Sequence, residues 1–162
     1  QFFQLFLFQR FNYTPADIGK FFAFLGLCIA FAHGVVIRPF SKWYKPAQVL
    51  SVSLALTAVT LLLLLLPQQH FWLYLINFFL AIFFGFTFPN FSALFSNAVD
   101  KQSQGEIMGI QQSLLSLSYA IPPLLAGLSL TIHLALPILF ASFFMIIGWI
   151  VFVYGYGKSE SA

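Results

Sequence analysis

A chain of 162 residues with seven Lys and Arg, four Asp and Glu, 23 phenylalanines and 60% apolar residues is not a soluble globular domain. Such domains carry charge on about a quarter of their residues; here 7% are charged. The formal net charge of +3 comes from dispersed cations, which gives nucleic-acid binding no electrostatic footprint, and a single cysteine, Cys28, excludes an internal disulfide, a CxxC redox pair and a cysteine-rich zinc site.

Two stretches without Asp, Glu, Lys or Arg set the architecture: 54 positions from Pro46 to Val99 and 51 from Ile107 to Gly157. At ~1.5 Å per residue either would overrun the ~30 Å hydrocarbon layer as one rod. Each must fold back once, so the fold class is an all-α, multi-pass membrane protein. Gln1-Phe2-Phe3 lacks the basic n-region of a secretory signal. The chain opens without Met inside an apolar run, and is expected to be a piece of a longer protein.

In chain order, residues 1–8 read as the end of a span whose beginning is missing. Thr14-Pro15-Ala16-Asp17 has the form of a helix start, with Thr at the cap, Pro at the first position and an acid at the third. A span over 18–37 follows. The cluster RPFSKWYKP after it places three cations and two aromatics at headgroup depth. The second span, 47–66, stops at Pro67-Gln68-Gln69-His70. The third, 71–97, is long enough to need tilt or a bend, which Gly85 and Pro89 would provide. Ser103-Gln104-Gly105-Glu106 has the S-x-x-E capping-box form and opens a fourth span, 105–128. A fifth, 132–155, leads to the polar tail 156–162. The expectation is five complete spans plus the end of a sixth.

Loop charge predicts orientation. The loops 9–20, 67–70 and 129–132 hold Arg10 and Lys20, whereas the opposite set holds Arg38, Lys42, Lys45, Lys101 and Lys158. The positive-inside rule puts the second set, with the C-terminus, in the cytoplasm.

The spans differ in polarity. The second carries only Ser51, Ser53, Thr57 and Thr60 before six leucines, and the fifth little beyond His133 and Ser142, as expected of helices facing lipid on most sides. In the fourth, Gly105, Gly109, Gln112, Ser116, Tyr119, Pro123 and Gly127 fall on one stripe, opposite Ile107, Ile110, Leu114, Leu117, Ile121, Leu125 and Leu128. A polar stripe inside a bilayer must face protein or a water-filled cavity. Its glycines favour helix–helix contact; Gln112 and Tyr119 either join that contact or line a cavity. In the third span Ala81, Gly85, Pro89, Ser92 and Ser96 make a small packing edge beside an aromatic face of Asn77, Phe84, Phe88, Phe91 and Phe95. The Asn90 amide, next to Pro89, serves either freed backbone carbonyls or a solute. In the first span His33 is the one His, Lys, Arg, Asp or Glu well inside the apolar segment; it reads either as a proton relay or as a structural, interfacial histidine.

Nothing catalytic is visible: there is no carboxylate pair in a span, no HExxH, no Ser/His/Asp set and no phosphate-binding glycine loop. The chain is read as a non-enzyme without cofactor or metal.

The order of Tyr13-Thr14-Pro15-Ala16-Asp17-Ile18-Gly19, the Gly34-x-x-x-Arg38-x-x-x-Lys42 junction, and Gln104-Gly105-x-x-x-Gly109 running into a helix with Pro122-Pro123 resembles the C-terminal half of a major facilitator superfamily transporter, most closely the drug:proton antiporter branch. That resemblance implies half of a twelve-helix fold, with these spans as helices eight to twelve and residues 1–8 as the end of helix seven. It also implies alternating access in a bacterial-type inner membrane, with an N-terminal six-helix half as partner. Gln112, Ser116, Tyr119, Asn77 and Asn90 would line the solute path. Gly85, Pro89, Gly105 and Gly109 would act in gating, and Gly34, Arg38 and Lys42 would form a cytoplasmic loop motif lacking the family's usual acid. The nearly uncharged, aromatic wall favours a neutral, cationic or amphiphilic organic solute, and the resemblance to the antiporter branch implies its export in exchange for protons. With no acid buried in this half, either the coupling carboxylate lies in the other half or the protein is not proton-driven. The alternative is a membrane scaffold or assembly subunit that transports nothing.

Overall fold

The computed structural model of the protein describes residues 2–37, 43–130 and 133–160, with the side chains of 2, 121–130 and 157–160 excepted. These residues form six helices: α1 (Phe2–Phe11), α2 (Pro15–Phe31), α3 (Pro46–Leu63), α4 (His70–Asn97), α5 (Gln104–Leu130) and α6 (Leu136–Glu160). A π-helical turn, Ala32–Val36, prolongs α2. Among the described residues there is no strand. Among the described residues four helical stretches are long and apolar enough to cross a bilayer: Pro15–Val36, Pro46–Leu63, His70–Asn97 and Leu136–Tyr156. At 27 residues α5 is about 40 Å long.

Local chemistry places the boundaries. Asn12 turns the chain out of α1 with φ 53°, in the left-handed region that short amides tolerate. Thr14 then caps α2: its Oγ1 accepts from the Asp17 backbone N–H at 3.3 Å, and the Asp17 carboxylate accepts from the Thr14 N–H at 3.3 Å and hydroxyl at 2.6 Å. Pro15 at the first helical position has no N–H to leave unsatisfied. Pro46 opens α3 in the same way. Helix α3 ends at Leu63, before the leucine run finishes. Leu64 to Leu66 leave it through tight turns, and Leu64 is buried.

Helix α3 packs against both α4 and α6, α4 also against α2 and α5, and α5 against α6. The α3 hydroxyls lie on its inward side. Ser53, Thr57 and Thr60 are buried, whereas Val52, Leu56, Val59, Leu62 and Leu63 are exposed. Ser53 Oγ donates to the Leu50 carbonyl at 2.9 Å and lies 3.4 Å from Thr87 Oγ1 of α4. Ser51 accepts from Trp149 Nε1 of α6 at 3.2 Å. A helix expected to be bland on most sides thus uses its few hydroxyls as its packing seam, because small polar side chains let backbones approach where apolar ones gain nothing over lipid.

The hydrophobic core gathers at one end of the bundle, where Phe6, Leu7, Phe11, Tyr13, Phe21, Leu64, Leu73 and Ile138 are buried together. Phe21 meets Tyr74 edge-on at 5.0 Å between ring centroids. Arg10 reaches across to donate to the Leu65 carbonyl at 2.7 Å, with its guanidinium 5.6 Å from the Phe6 ring centre. His70, exposed at the start of α4, stacks on Tyr13 at 5.2 Å with its Nδ1 3.0 Å from the Tyr13 hydroxyl. Burial, with Tyr74 beside it, pushes the Tyr13 phenol up to about 12.

Candidate functional site

Helix α4 carries one face of the candidate site. Asn77 and Asn90 are both buried, and each turns its amide back onto its own helix. Asn77 Nδ2 donates to the Leu73 carbonyl at 2.9 Å and Asn90 Nδ2 to the Phe86 carbonyl at 2.7 Å. The helix is continuous through Pro89. Proline has no N–H to give the carbonyl four residues earlier, that of Gly85, and the Asn90 amide serves the next carbonyl along.

Gly85 is buried where α4 crosses the end of α2. A Cβ there would stand 3.5 Å from Ala32 Cβ, 3.8 Å from His33 Nε2 and 3.8 Å from Ile37 Cδ1. An alanine methyl would make ordinary contact at those distances; a branched side chain would not fit. The partner surface is the π turn, in which Ile37 N–H reaches back to the Ala32 carbonyl. Gly34 lies in the same turn with open space beside it, and the His33 side chain is exposed. Arg38 and Lys42 lie outside the described residues.

Helix α5 sits on its neighbours along a narrow seam. Gln111 is 3% exposed and donates from Nε2 to Ser92 Oγ of α4 at 2.7 Å. One heptad earlier, Gln104 Nε2 donates to the Ser96 carbonyl at 3.5 Å. The small edge of α4 therefore packs in two directions, with Gly85 against the π turn and Ser92 and Ser96 against α5. Among the described residues Gln111 Oε1 has no hydrogen-bond partner although it is buried.

The stripe singled out on α5 points elsewhere. Gln112 and Ser116 are exposed and Tyr119 is 73% exposed. Ser116 spends its hydroxyl on the Gln112 carbonyl at 3.0 Å. A Cβ at Gly105 or Gly109 would meet nothing within 4 Å. Ile110, Leu114 and Leu117, on the other side, are exposed as well. Of the expected solute-path residues, Asn77 and Asn90 thus lie within the bundle, whereas Gln112, Ser116 and Tyr119 lie on its surface. Pro122 and Pro123 fall where side chains are not described. Sequence reading missed Gln111, next to the residue it chose; the heptad spacing from Gln104, matched by Ser92 and Ser96, is the signal that would have found it. Among the described residues no three His, Cys, Asp or Glu are placed to hold a metal.

The chain is similar in sequence to known proteins. The chain is 27% identical over 139 residues to the quinolone resistance protein NorA of Staphylococcus aureus (strain COL), covering 86% of this chain and 36% of NorA. It is 32% identical over 122 residues to major facilitator superfamily domain-containing protein 10 of Mus musculus, covering 74% of this chain and 26% of that protein. The chain thus spans about a third or less of the length of these relatives. The family model described as the Major Facilitator Superfamily matches residues 2–161. A charge-poor, all-helical membrane chain matched along nearly its whole length in this way belongs to the Major Facilitator Superfamily.

Proposed function

We propose that this chain is the C-terminal half of a secondary active transporter that exports small amphiphilic organic solutes, quinolones among them, in exchange for protons. The observation that carries the reading is the α5 stripe. Gln112, Ser116 and Tyr119 lie exposed on one side of a long helix in an otherwise apolar chain, and amide and phenol groups at that depth need a polar partner or water. An N-terminal six-helix half supplies that partner surface, with the solute between the two. The open sides of Gly105 and Gly109 leave room for a helix of that half to approach closely. Five spans cross the bilayer, α5 included, with the C-terminus in the cytoplasm of a bacterial-type plasma membrane. The two halves rock about the solute site, and Gly85 and Pro89 are the place where α4 flexes. Asn77 and Asn90, buried on α4, form the floor of the path when it opens. Arg38 and Lys42, with Gly34, hold the cytoplasmic junction to the headgroups.

Three observations support the reading: the similarity to a protein named for quinolone resistance, the partial coverage of each relative, and a core concentrated at one end of the bundle. The test is efflux of norfloxacin, a fluorescent quinolone, from bacteria lacking their own exporters. Residues 1–162 expressed alone should export none, and co-expression with a matching N-terminal half should restore export. Export from the 162-residue chain by itself would refute the half-transporter reading. Cysteine replacements at Gln112 and Tyr119 should change their labelling rate when norfloxacin is added.

A further inference from the structure

The hydrogen bonds at one joint between α4 and α5 do not balance. Gln111 Nε2 donates to Ser92 Oγ at 2.7 Å, and Gln111 Oε1, buried beside it, accepts nothing among the described residues. Ser113, Ser116, Ser118 and Ser142 each spend their hydroxyl on the carbonyl four residues back. Ser92 forms no such bond among the described residues; it accepts from Gln111 and keeps its own hydrogen to give. One acceptor and one donor are thus left next to each other. Turning the amide over exchanges their roles and leaves the same balance, since Ser92 then donates to Oε1 and Nε2 keeps its hydrogens. We propose that Gln111 and Ser92 form a subsite for a solute group that donates one hydrogen bond and accepts another (a neutral carboxyl, a primary amide or a hydroxyl), a reading that rests on the transport function above.

The surroundings select a neutral group. From Pro46 to Val99 and from Ile107 to Gly157 the chain has no Asp, Glu, Lys or Arg. Neither helix brings a cation to the joint, and an ionised carboxylate would enter it as an unpaired charge. A solute with no hydrogen-bonding group leaves Oε1 as it is, whereas a group that reaches both atoms pairs the buried acceptor and the spare hydroxyl at once. Approach is from the Ser92 side, since Ser92 is half-buried and Gln111 is 3% exposed. An incoming group meets the Ser92 hydroxyl first. Rotation of the Gln111 amide about its last side-chain bond, a broad torsion, then turns Oε1 toward it. Asn90 and Gln112 of the proposed path are two residues and one residue away along the same helices. The carboxyl of a quinolone in its neutral form carries the required donor and acceptor on one carbon.

The experiment compares solutes that differ at one position: norfloxacin, the analogue with its carboxyl converted to a primary carboxamide, and the decarboxylated analogue. Exchange is measured in liposomes holding the protein with its N-terminal half. Wild type should take the carboxamide with a KM no higher than that of norfloxacin, and the decarboxylated analogue with a KM about tenfold higher. Gln111→Leu and Ser92→Ala should each bring the KM values within about twofold of one another, at whatever absolute rate they retain. Loss of a merely structural contact would move all the solutes together and preserve their ratios, so either variant keeping the wild-type discrimination overturns the proposal. A wild type that treats the solutes alike also overturns it, and is the outcome if the pair holds only a water molecule. A second readout needs no transport. In the detergent-solubilised transporter, isotope-labelled at its glutamine side chains, the Gln111 NMR signal is identified by its loss in Gln111→Leu; it should move on adding the carboxamide and stay still with the decarboxylated analogue. Movement with both alike, or with neither, overturns the subsite. A wild type that exchanges none of the solutes defeats the transport reading instead, and the Gln111 signal still decides the subsite.

Discussion

Replacing Gln111 with leucine should make the protein more stable. Gln111 gains one bond, Nε2 to Ser92 Oγ at 2.7 Å, and leaves Oε1 buried without a partner among the described residues. Between membrane helices such a bond is worth about 0.6 kcal/mol on average, whereas a buried polar atom left unpaired costs about 1–3 kcal/mol. Gln111→Leu removes both, keeps a similar volume and lets Ser92 turn its hydroxyl to the carbonyl four residues back, as Ser113, Ser116 and Ser118 do on α5. The expected gain is about 1 kcal/mol. Equilibrium unfolding in mixed detergent micelles, followed by helical circular dichroism, measures it, and a cycle with Ser92→Ala isolates the pair. A loss exceeding about 1 kcal/mol would refute the reasoning, since it would mean that Oε1 has a donor and the amide is fully used. Lower norfloxacin export at higher stability is the trade-off expected where an unsatisfied group is kept for function.

Other perturbations follow from the same contacts. Phe21→Ala should cost about 3–5 kcal/mol because the ring is fully buried among Phe3, Tyr13 and Tyr74, whereas Phe22→Ala next to it, with a half-open ring, should cost under about 1 kcal/mol; the same micelle unfolding compares them. Tyr13→Phe should weaken the packed end by about 1 kcal/mol through loss of the His70 contact at 3.0 Å. The Tyr13 phenol lies above its ordinary value of 10, at about 12, so its contribution is complete below pH 10 and is lost as pH rises from 10 to about 12. Wild type should therefore lose stability over that window faster than Tyr13→Phe does. Gly85→Ala should fold and reach the membrane, since its methyl meets Ala32 at 3.5 Å, while Gly85→Leu should not; size-exclusion profiles of the detergent-solubilised variants distinguish them.

The amino-acid sequence by itself determined that this chain is helical and lives in a bilayer. Two long stretches without charge leave no other way to satisfy the backbone. The Thr14-Pro15-Asp17 start of α2 was equally legible, because a capping box is closed by residues within one turn of each other. The α4 edge from Ala81 to Ser96 was legible as a packing face, since small residues at helical spacing serve little else in lipid. The partners were not. Only the folded bundle decided that Ser53, Thr57 and Thr60 of α3 turn inward while Val52, Leu56, Val59, Leu62 and Leu63 turn out, that Gln111 rather than Gln112 enters the α4 seam, and that a π turn meets Gly85 beside His33. Periodicity separates polar from apolar faces, but hydrocarbon and leucine are equally apolar, so no pattern along one helix states whether lipid or a neighbouring helix covers it. Neighbouring glutamines lie only about 100° apart on a helix, and the rotation that buries one and exposes the other is set by how closely α4, α5 and α6 approach.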